Sequence, residues 1–161
     1  MDRLFVDANV LFSAAYRADA GVVRLWDLDS AVLLTSDYAV AEARRNLADR
    51  DQLERLAGLL DRVEVTSGGS VGPADRHGIE LPEKDWPIIG GAMAAGATHL
   101  ITGDVRHFGS YFGQRLLGVV MAPAQYLRSG EMPKKDPREG RRGGLPPERG
   151  ATRGRGGAET P

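Results

Sequence analysis

The apolar residues of this chain form short runs separated by stretches with helical spacing. The first run, at residues 4–6, stops at Asp7, and residues 9–16 then place apolar side chains three or four positions apart. A short continuous apolar run is typical of a buried strand, whereas the wider spacing is typical of an amphipathic helix. The chain is therefore predicted to begin with a strand followed by a helix.

The rest of the chain repeats this alternation. Strands are predicted at residues 4–6, 31–34, 63–65, 100–101 and 118–121. Helices are predicted at residues 9–16, 21–28, 37–47, 52–60, 85–96, 108–112 and 123–127. Because the strands are apolar rather than alternating, we expect them to be buried on both faces. The pattern predicts a three-layer α/β fold, with a parallel sheet of about five strands and helices on both faces.

The last 32 residues have a different composition. Residues 130–161 contain eight glycines, five prolines and few apolar side chains. Such a segment cannot bury enough surface to offset the entropy lost on ordering. We therefore expect one domain at residues 1–129 and a disordered tail rich in Gly, Pro and Arg at residues 130–161.

Composition narrows the classes of protein that fit. With 161 residues, of which 42% are hydrophobic, the chain can build one ordinary core. It contains no cysteine, which excludes disulfides, thiolate metal sites and cysteine nucleophiles. We see no leader-like start and no apolar run near the roughly 20 residues that span a bilayer. The expectation is a cytoplasmic protein that does not bind membranes.

Charge is distributed unevenly along the chain. Residues 130–161 hold 8 basic and 5 acidic residues, which leaves 13 basic against 17 acidic residues in 1–129. An acidic body argues against a protein whose main task is to hold DNA along a basic face. It is compatible with an enzyme that gathers carboxylates in one cleft and balances them with metal ions.

Four acidic residues stand where a parallel sheet would bring them together. Asp7 follows the first predicted strand and Asp104 follows the fourth, so both are expected at the carboxyl edge where ligands bind. Asp85 begins a predicted helix, and Glu42 lies in the helix after the second strand. Each taken alone fits a helix cap or a solvated side chain. The joint pattern is what predicts a site.

Four neighbouring carboxylates repel one another, and a divalent cation removes that penalty. Ligands that are all oxygen favour Mg²⁺ or Mn²⁺ over Zn²⁺. Such ions activate water and stabilise the oxygens of a phosphodiester during displacement. The chemistry expected of this group is therefore hydrolysis of a phosphodiester.

Three segments, read in order, resemble PIN-domain proteins. They are LFVDANVLFSA near the start, TSDYAVAEARRNL in the middle and LPEKDWPIIGGAMAAGATHLITGDVRHFG near the end. The resemblance covers roughly residues 3–128. It implies a Rossmann-like sheet and cleavage of single-stranded RNA that depends on Mg²⁺ or Mn²⁺. The residues that match the acidic metal site of the family are Asp7, Glu42, Asp85 and Asp104.

The resemblance also implies supporting residues and partners. Asn9 and Thr102 match polar positions that orient the carboxylates. Many PIN-domain relatives are toxins of bacterial toxin-antitoxin pairs, so an RNA substrate and an antitoxin protein are the expected partners. Family habit further implies a homodimer, built through the apolar helices near residues 22–26 and 53–60. The chain is accordingly predicted to be a toxin-type endoribonuclease.

The same residues also fit other functions. A phosphatase with an aspartate nucleophile also places Asp after its first strand, but such enzymes usually have a second Asp where this chain has Asn9. A PIN fold that binds RNA or protein without cleaving is the main alternative, disfavoured because all four acids are present. For His107, a structural role beside Phe108 is expected rather than contact with a phosphate or a role as a proton carrier.

Overall fold

The computed structural model describes residues 1–127. The predicted disordered tail at 130–161, and the boundary that separates it from the domain, lie outside the described residues. Six strands form one sheet in the order β3-β2-β1-β4-β6-β5. They are β1 (Asp2–Val6), β2 (Ala31–Ser36), β3 (Glu64–Thr66), β4 (His99–Thr102), β5 (Arg115–Leu116) and β6 (Val119–Pro123).

Five of these strands pair in parallel, as the apolar runs predicted. The sixth, β5, pairs antiparallel with β6 and was not predicted. It has two residues, too few to give an apolar pattern. Leu117 and Gly118 join the two strands with φ angles of 50° and 90°, which is the backbone of a tight hairpin turn. Gly118 therefore lies in a turn, and not at the start of the last strand as predicted.

Six α-helices surround the sheet within residues 1–127. They are α1 (Ala8–Tyr16), α2 (Asp37–Asn46), α3 (Arg50–Leu60), α4 (Trp86–Ala94), α5 (Val105–Phe108) and α6 (Ala124–Leu127). The helix predicted at 21–28 is a 3-10 helix at Gly21–Asp27. Its first turn contains two β-branched valines and its cap makes no side-chain hydrogen bond, and both features weaken an α-helix. The α/β fold class predicted from the sequence is confirmed.

The central strands form the core of the molecule. Phe5 and Val6 in β1, and Leu100 and Ile101 in β4, have no exposed surface. From β1 the chain continues to β2 and β3 on one side, whereas β4 is followed by β6 on the other. This reversal leaves a crevice at the carboxyl ends of β1 and β4, where ligands of open α/β sheets bind.

None of the helices at residues 1–127 is long and apolar enough to cross a membrane.

Candidate active site

A cleft of about 590 Å³ lies at the carboxyl ends of β1 and β4. The four predicted acids all line it, and they are Asp7, Glu42, Asp85 and Asp104. They come from four segments that are distant in the sequence and that the sheet brings to one edge. The structure therefore brings the four predicted acids together in one cleft.

Asp7 is the most constrained of the four acids. It follows β1 directly and caps α1, where its Oδ1 accepts a hydrogen bond from the backbone N of Ala8 at 2.6 Å. Its Oδ2 accepts from Thr102 Oγ1 at 2.8 Å and from Asn9 Nδ2 at 2.9 Å. Only 5% of Asp7 is exposed. Its carboxylate is therefore fixed in one orientation.

Asn9 and Thr102 connect the two strand ends. The Asn9 side chain accepts from the backbone N of Gly103 at 2.7 Å and donates to Thr102 Oγ1 at 3.2 Å. Thr102 Oγ1 also accepts from the backbone N of Asp104 at 3.0 Å. The hydroxyl thus donates to Asp7 while accepting from Asp104, and every polar atom of the link is used. This network holds the segment after β1 against the segment after β4.

Asp85 and Glu42 enter the cleft from helices. Asp85 precedes α4 but makes no capping hydrogen bond with its side chain, although a helix cap was one interpretation of this residue taken alone. The residue is buried, with 9% of its surface exposed. Glu42 lies in α2 and is half-buried. Since Asp85 does not cap its helix, its carboxylate is available to the cleft.

His107 lies among these carboxylates, and sequence analysis missed it. Its ring Nδ1 is 2.9 Å from Asp85 Oδ2 and 2.8 Å from Asp104 Oδ2. The sequence favoured a structural role beside Phe108 and did not predict these contacts with carboxylates. Asp104 and His107 are three positions apart in one helical turn, a spacing that places side chains on one face. That spacing was the available signal.

Burial and mutual repulsion shape the electrostatics of the cleft. Burial raises the pKa of Asp7 from 3.8 to about 6. The hydrogen bond from Thr102 lowers that pKa in part, while the charges of Glu42 and Asp85 raise it further. Burial also raises the pKa of Asp85, the nearby His107 ring lowers it, and Asp104 raises it. The cleft thus holds more negative charge than its surroundings stabilise.

Lys84 lines the cleft, although no pattern in the sequence indicated it. It lies beside Asp85, and its charge lowers the pKa of that carboxyl. Its backbone carbonyl accepts a hydrogen bond from the Tyr38 hydroxyl at 2.8 Å, which ties this segment to α2. A cation at the rim of an acidic cleft is suited to attract a phosphate.

The donor set fits a divalent ion. Ligand atoms of Asp85, Asp104 and His107 all lie within 4.8 Å of one another. Asp85 Oδ2 and His107 Nδ1 are buried, and no partner within residues 1–127 meets them with hydrogen-bond geometry. Excess negative charge together with unsatisfied buried atoms is the environment that a bound cation stabilises.

Comparison with known proteins gives a match at the level of the fold. No family model matches the chain, and no curated protein matches its sequence. A similar solved structure is the crystal structure of VapBC2 from Rickettsia felis bound to a DNA fragment from their promoter. It aligns with a TM-score of 0.53 and 16% identity, over 75% of this chain and 98% of the other. The chain has the fold of a PIN domain. The PIN fold predicted from the three segments is thereby confirmed, and the likeness concerns the fold alone.

Proposed function

We propose that this chain is an endoribonuclease that depends on Mg²⁺ or Mn²⁺ and hydrolyses phosphodiester bonds of single-stranded or structured RNA. The observation that carries the proposal is the convergence of four carboxylates on one cleft at the point where the strand order reverses. The raised pKa of the buried Asp7 supports it, because strongly shifted pKa values cluster at functional sites.

In this proposal the carboxylates hold the ion, and they are Asp7, Glu42, Asp85 and Asp104. When bound there, a divalent ion neutralises developing charge on phosphate and lowers the pKa of water. Thr102 and Asn9 position Asp7 by donating to its Oδ2. Orientation of this kind matters because ligands that are held rigidly bind metal more tightly than mobile ones.

In this proposal, basic side chains bind the substrate. Lys84 attracts the phosphate backbone into a cleft whose other charges are negative. The exposed Arg44, Arg45 and Arg106 are candidates for contacts with neighbouring phosphates. A flexible single strand suits such a cleft, because its backbone can bend to present one phosphodiester to the carboxylates.

We further propose that the protein works in the cytoplasm as the toxin of a toxin-antitoxin pair, as a homodimer. The similar structure from Rickettsia felis, described as VapBC2 bound to promoter DNA, supports this role through its fold. Static light scattering of the purified chain tests the dimer. Co-purification with the product of an adjacent small gene tests the antitoxin.

The proposed activity is tested with a pool of labelled single-stranded RNA incubated with Mn²⁺, Mg²⁺ or EDTA. We expect cleavage with metal, none with EDTA, and a loss of about a hundredfold or more in Asp7→Asn, since several kcal/mol of charge stabilisation depend on the ion. Asp29→Asn is the matched control, because Asp29 is an exposed acid outside the cleft. Intact RNA with folded protein and either metal would instead favour a PIN fold that binds without cleaving.

A further inference from the structure

His107 lies among the site carboxylates without an ordinary hydrogen-bonding role. Its Nδ1 is within 3 Å of oxygens of both Asp85 and Asp104, at 2.9 and 2.8 Å. Even so, Nδ1 and Asp85 Oδ2 are buried and, in the described part of the chain, lack a partner whose direction suits a hydrogen bond. Hydrogen bonds therefore do not account for the close approach of these atoms. Buried polar atoms left in this way are costly unless something else binds them.

These three atoms satisfy one another poorly. The imidazole carries at most one hydrogen on Nδ1, and ionised carboxylates are acceptors only. That hydrogen does not meet either oxygen at an angle that suits a hydrogen bond, and the two carboxylates repel each other. A cation that accepts a lone pair from each of the three atoms satisfies all of them together.

The separations also suit a metal centre. Divalent ions such as Mg²⁺ and Zn²⁺ hold their ligands at about 2.0–2.2 Å, so adjacent ligand atoms lie roughly 3 Å apart. The two separations from Nδ1, at 2.8 and 2.9 Å, are of this size. We infer that His107 is a nitrogen ligand of the ion, beside Asp85 and Asp104. The centre is then a mixed nitrogen and oxygen site, unlike the all-oxygen site that the sequence predicted.

The surroundings of His107 hold its ring in this position. Its backbone N donates to Asp104 Oδ1 at 3.1 Å, so the first turn of α5 fixes the two residues relative to each other. The next residue, Phe108, is fully buried and anchors α5 in the core. The imidazole is therefore held in place before any ion arrives, which lowers the entropy lost on binding.

A nitrogen ligand changes which ions the site prefers. Imidazole raises affinity for Mn²⁺ and later transition metals more than for Mg²⁺, which binds oxygen. This inference rests on the metal-dependent function proposed above. Replacing His107→Asn is expected to weaken Mn²⁺ binding by about tenfold or more, in line with losses at metal sites generally, and to change Mg²⁺ binding by a smaller factor.

His77→Asn is the matched control for that substitution. His77 is exposed and lies outside the cleft, and its φ of 47° is one that Asn adopts readily. The same chemical change is thus made once at the site and once away from it. Circular dichroism and thermal unfolding of both variants show whether each still folds.

The direct test is pulsed electron paramagnetic resonance of the full chain, freed of any histidine tag and loaded with one equivalent of Mn²⁺. Coupling of the ion to a ¹⁴N nucleus of imidazole is expected in the wild type and in His77→Asn, and it is expected to disappear in His107→Asn. This readout does not depend on RNA cleavage.

Any of four results would overturn the inference. If Mn²⁺ binds but shows no imidazole coupling in the wild type, or if the coupling persists in His107→Asn, then His107 is not a ligand while the metal-dependent function still stands. If folded wild-type protein binds no Mn²⁺, the inference fails, and if it binds no Mg²⁺ either, the proposed function fails with it. Retained Mn²⁺ affinity in folded His107→Asn would likewise contradict it.

Discussion

Burial disfavours the ionised form of Asp7 and so raises the pKa of its carboxyl group. The residue is almost fully buried, and two acidic neighbours add repulsion that Thr102 and the Ala8 amide only partly offset. Such a position destabilises the metal-free protein at neutral pH, as sites arranged for function often do. The same carboxylate is held in a single orientation by three donors.

Asp7→Asn should therefore change how stability depends on pH. The pKa of Asp7 in the folded protein, about 6, lies above its ordinary value of 3.8, so the folded state binds this proton more tightly. The stability that comes from protonated Asp7 is complete below about pH 4 and is lost as pH rises through 6. In EDTA, the free energy of unfolding of Asp7→Asn relative to wild type should rise between pH 4 and pH 8, by up to about 3 kcal/mol.

Urea denaturation at several pH values measures this difference, and titrating groups far from Asp7 cancel because both proteins share them. Curves for the two proteins that stay parallel from pH 4 to pH 8 would show that Asp7 titrates normally.

Thr102 tests whether the hydrogen-bond network positions the site. Thr102→Val removes the donor to Asp7 Oδ2 and the acceptor for the Asp104 amide. We expect a loss of about 1–3 kcal/mol in stability and a fall of tenfold or more in metal affinity, measured by calorimetry. Thr98→Val is the control, because the Thr98 hydroxyl likewise makes one donated and one accepted hydrogen bond, here both with the backbone of Arg3, at the amino end of β4 and away from the cleft. Equal metal affinity in the two variants would remove Thr102 from the supporting role.

At the scale of elements, α4 and the loop before it place Asp85. The loop crosses α4 in direct backbone contact, since a Cβ added at Gly90 would lie 2.5 Å from the carbonyl oxygen of Gly69 and 2.8 Å from the amide of Ser70. Backbone atoms cannot yield as a flexible side chain can. This close approach requires glycine on both sides and fixes α4, with Asp85 at its start, against the loop.

Gly90→Ala is accordingly expected to lower the free energy of unfolding by about 2 kcal/mol or more, because the added methyl overpacks the contact. Gly58→Ala is the matched change, since Gly58 lies inside α3 and an added Cβ meets nothing within 4 Å. That variant should gain about 0.5–1 kcal/mol from better helix propensity. Chemical denaturation compares the free energies of unfolding of the two variants. Equal effects would show that the backbone of α4 is not held against the loop that contains Gly69.

The elements also show why some of the site was predictable. Asp7 and Asp104 follow apolar strands, and strand ends in a parallel sheet share one edge, so their position follows from local pattern. The contacts of His107 with the carboxylates were not predicted, because the helix was expected at 108–112 whereas α5 occupies Val105–Phe108. In the structure Asp104 caps α5 and His107 lies in its first turn, which brings the two side chains together. The short strand β5 was missed because two residues carry no periodicity.

For the whole molecule, topology decides where the chemistry lies. The strand order reverses between β1 and β4, and the cleft opens at that reversal with all four acids on it. The sequence predicted the parallel sheet and the four acids together. It could not predict the contacts across the cleft, such as those of Lys84 and His107, because these depend on how separate segments pack. The same segments produce both the excess negative charge and the site for an ion.

The central claim is that this cleft is one metal-dependent nuclease site. It is tested most directly by titrating Mn²⁺ into the full chain while following both ion occupancy and cleavage of a fluorescent single-stranded RNA. The account predicts that cleavage rises with occupancy in the wild type and in Asp29→Asn. In Asp7→Asn the cleavage rate is expected to fall by about a hundredfold or more. Cleavage that persists in EDTA or in Asp7→Asn, or full occupancy of the wild type without cleavage, would contradict it.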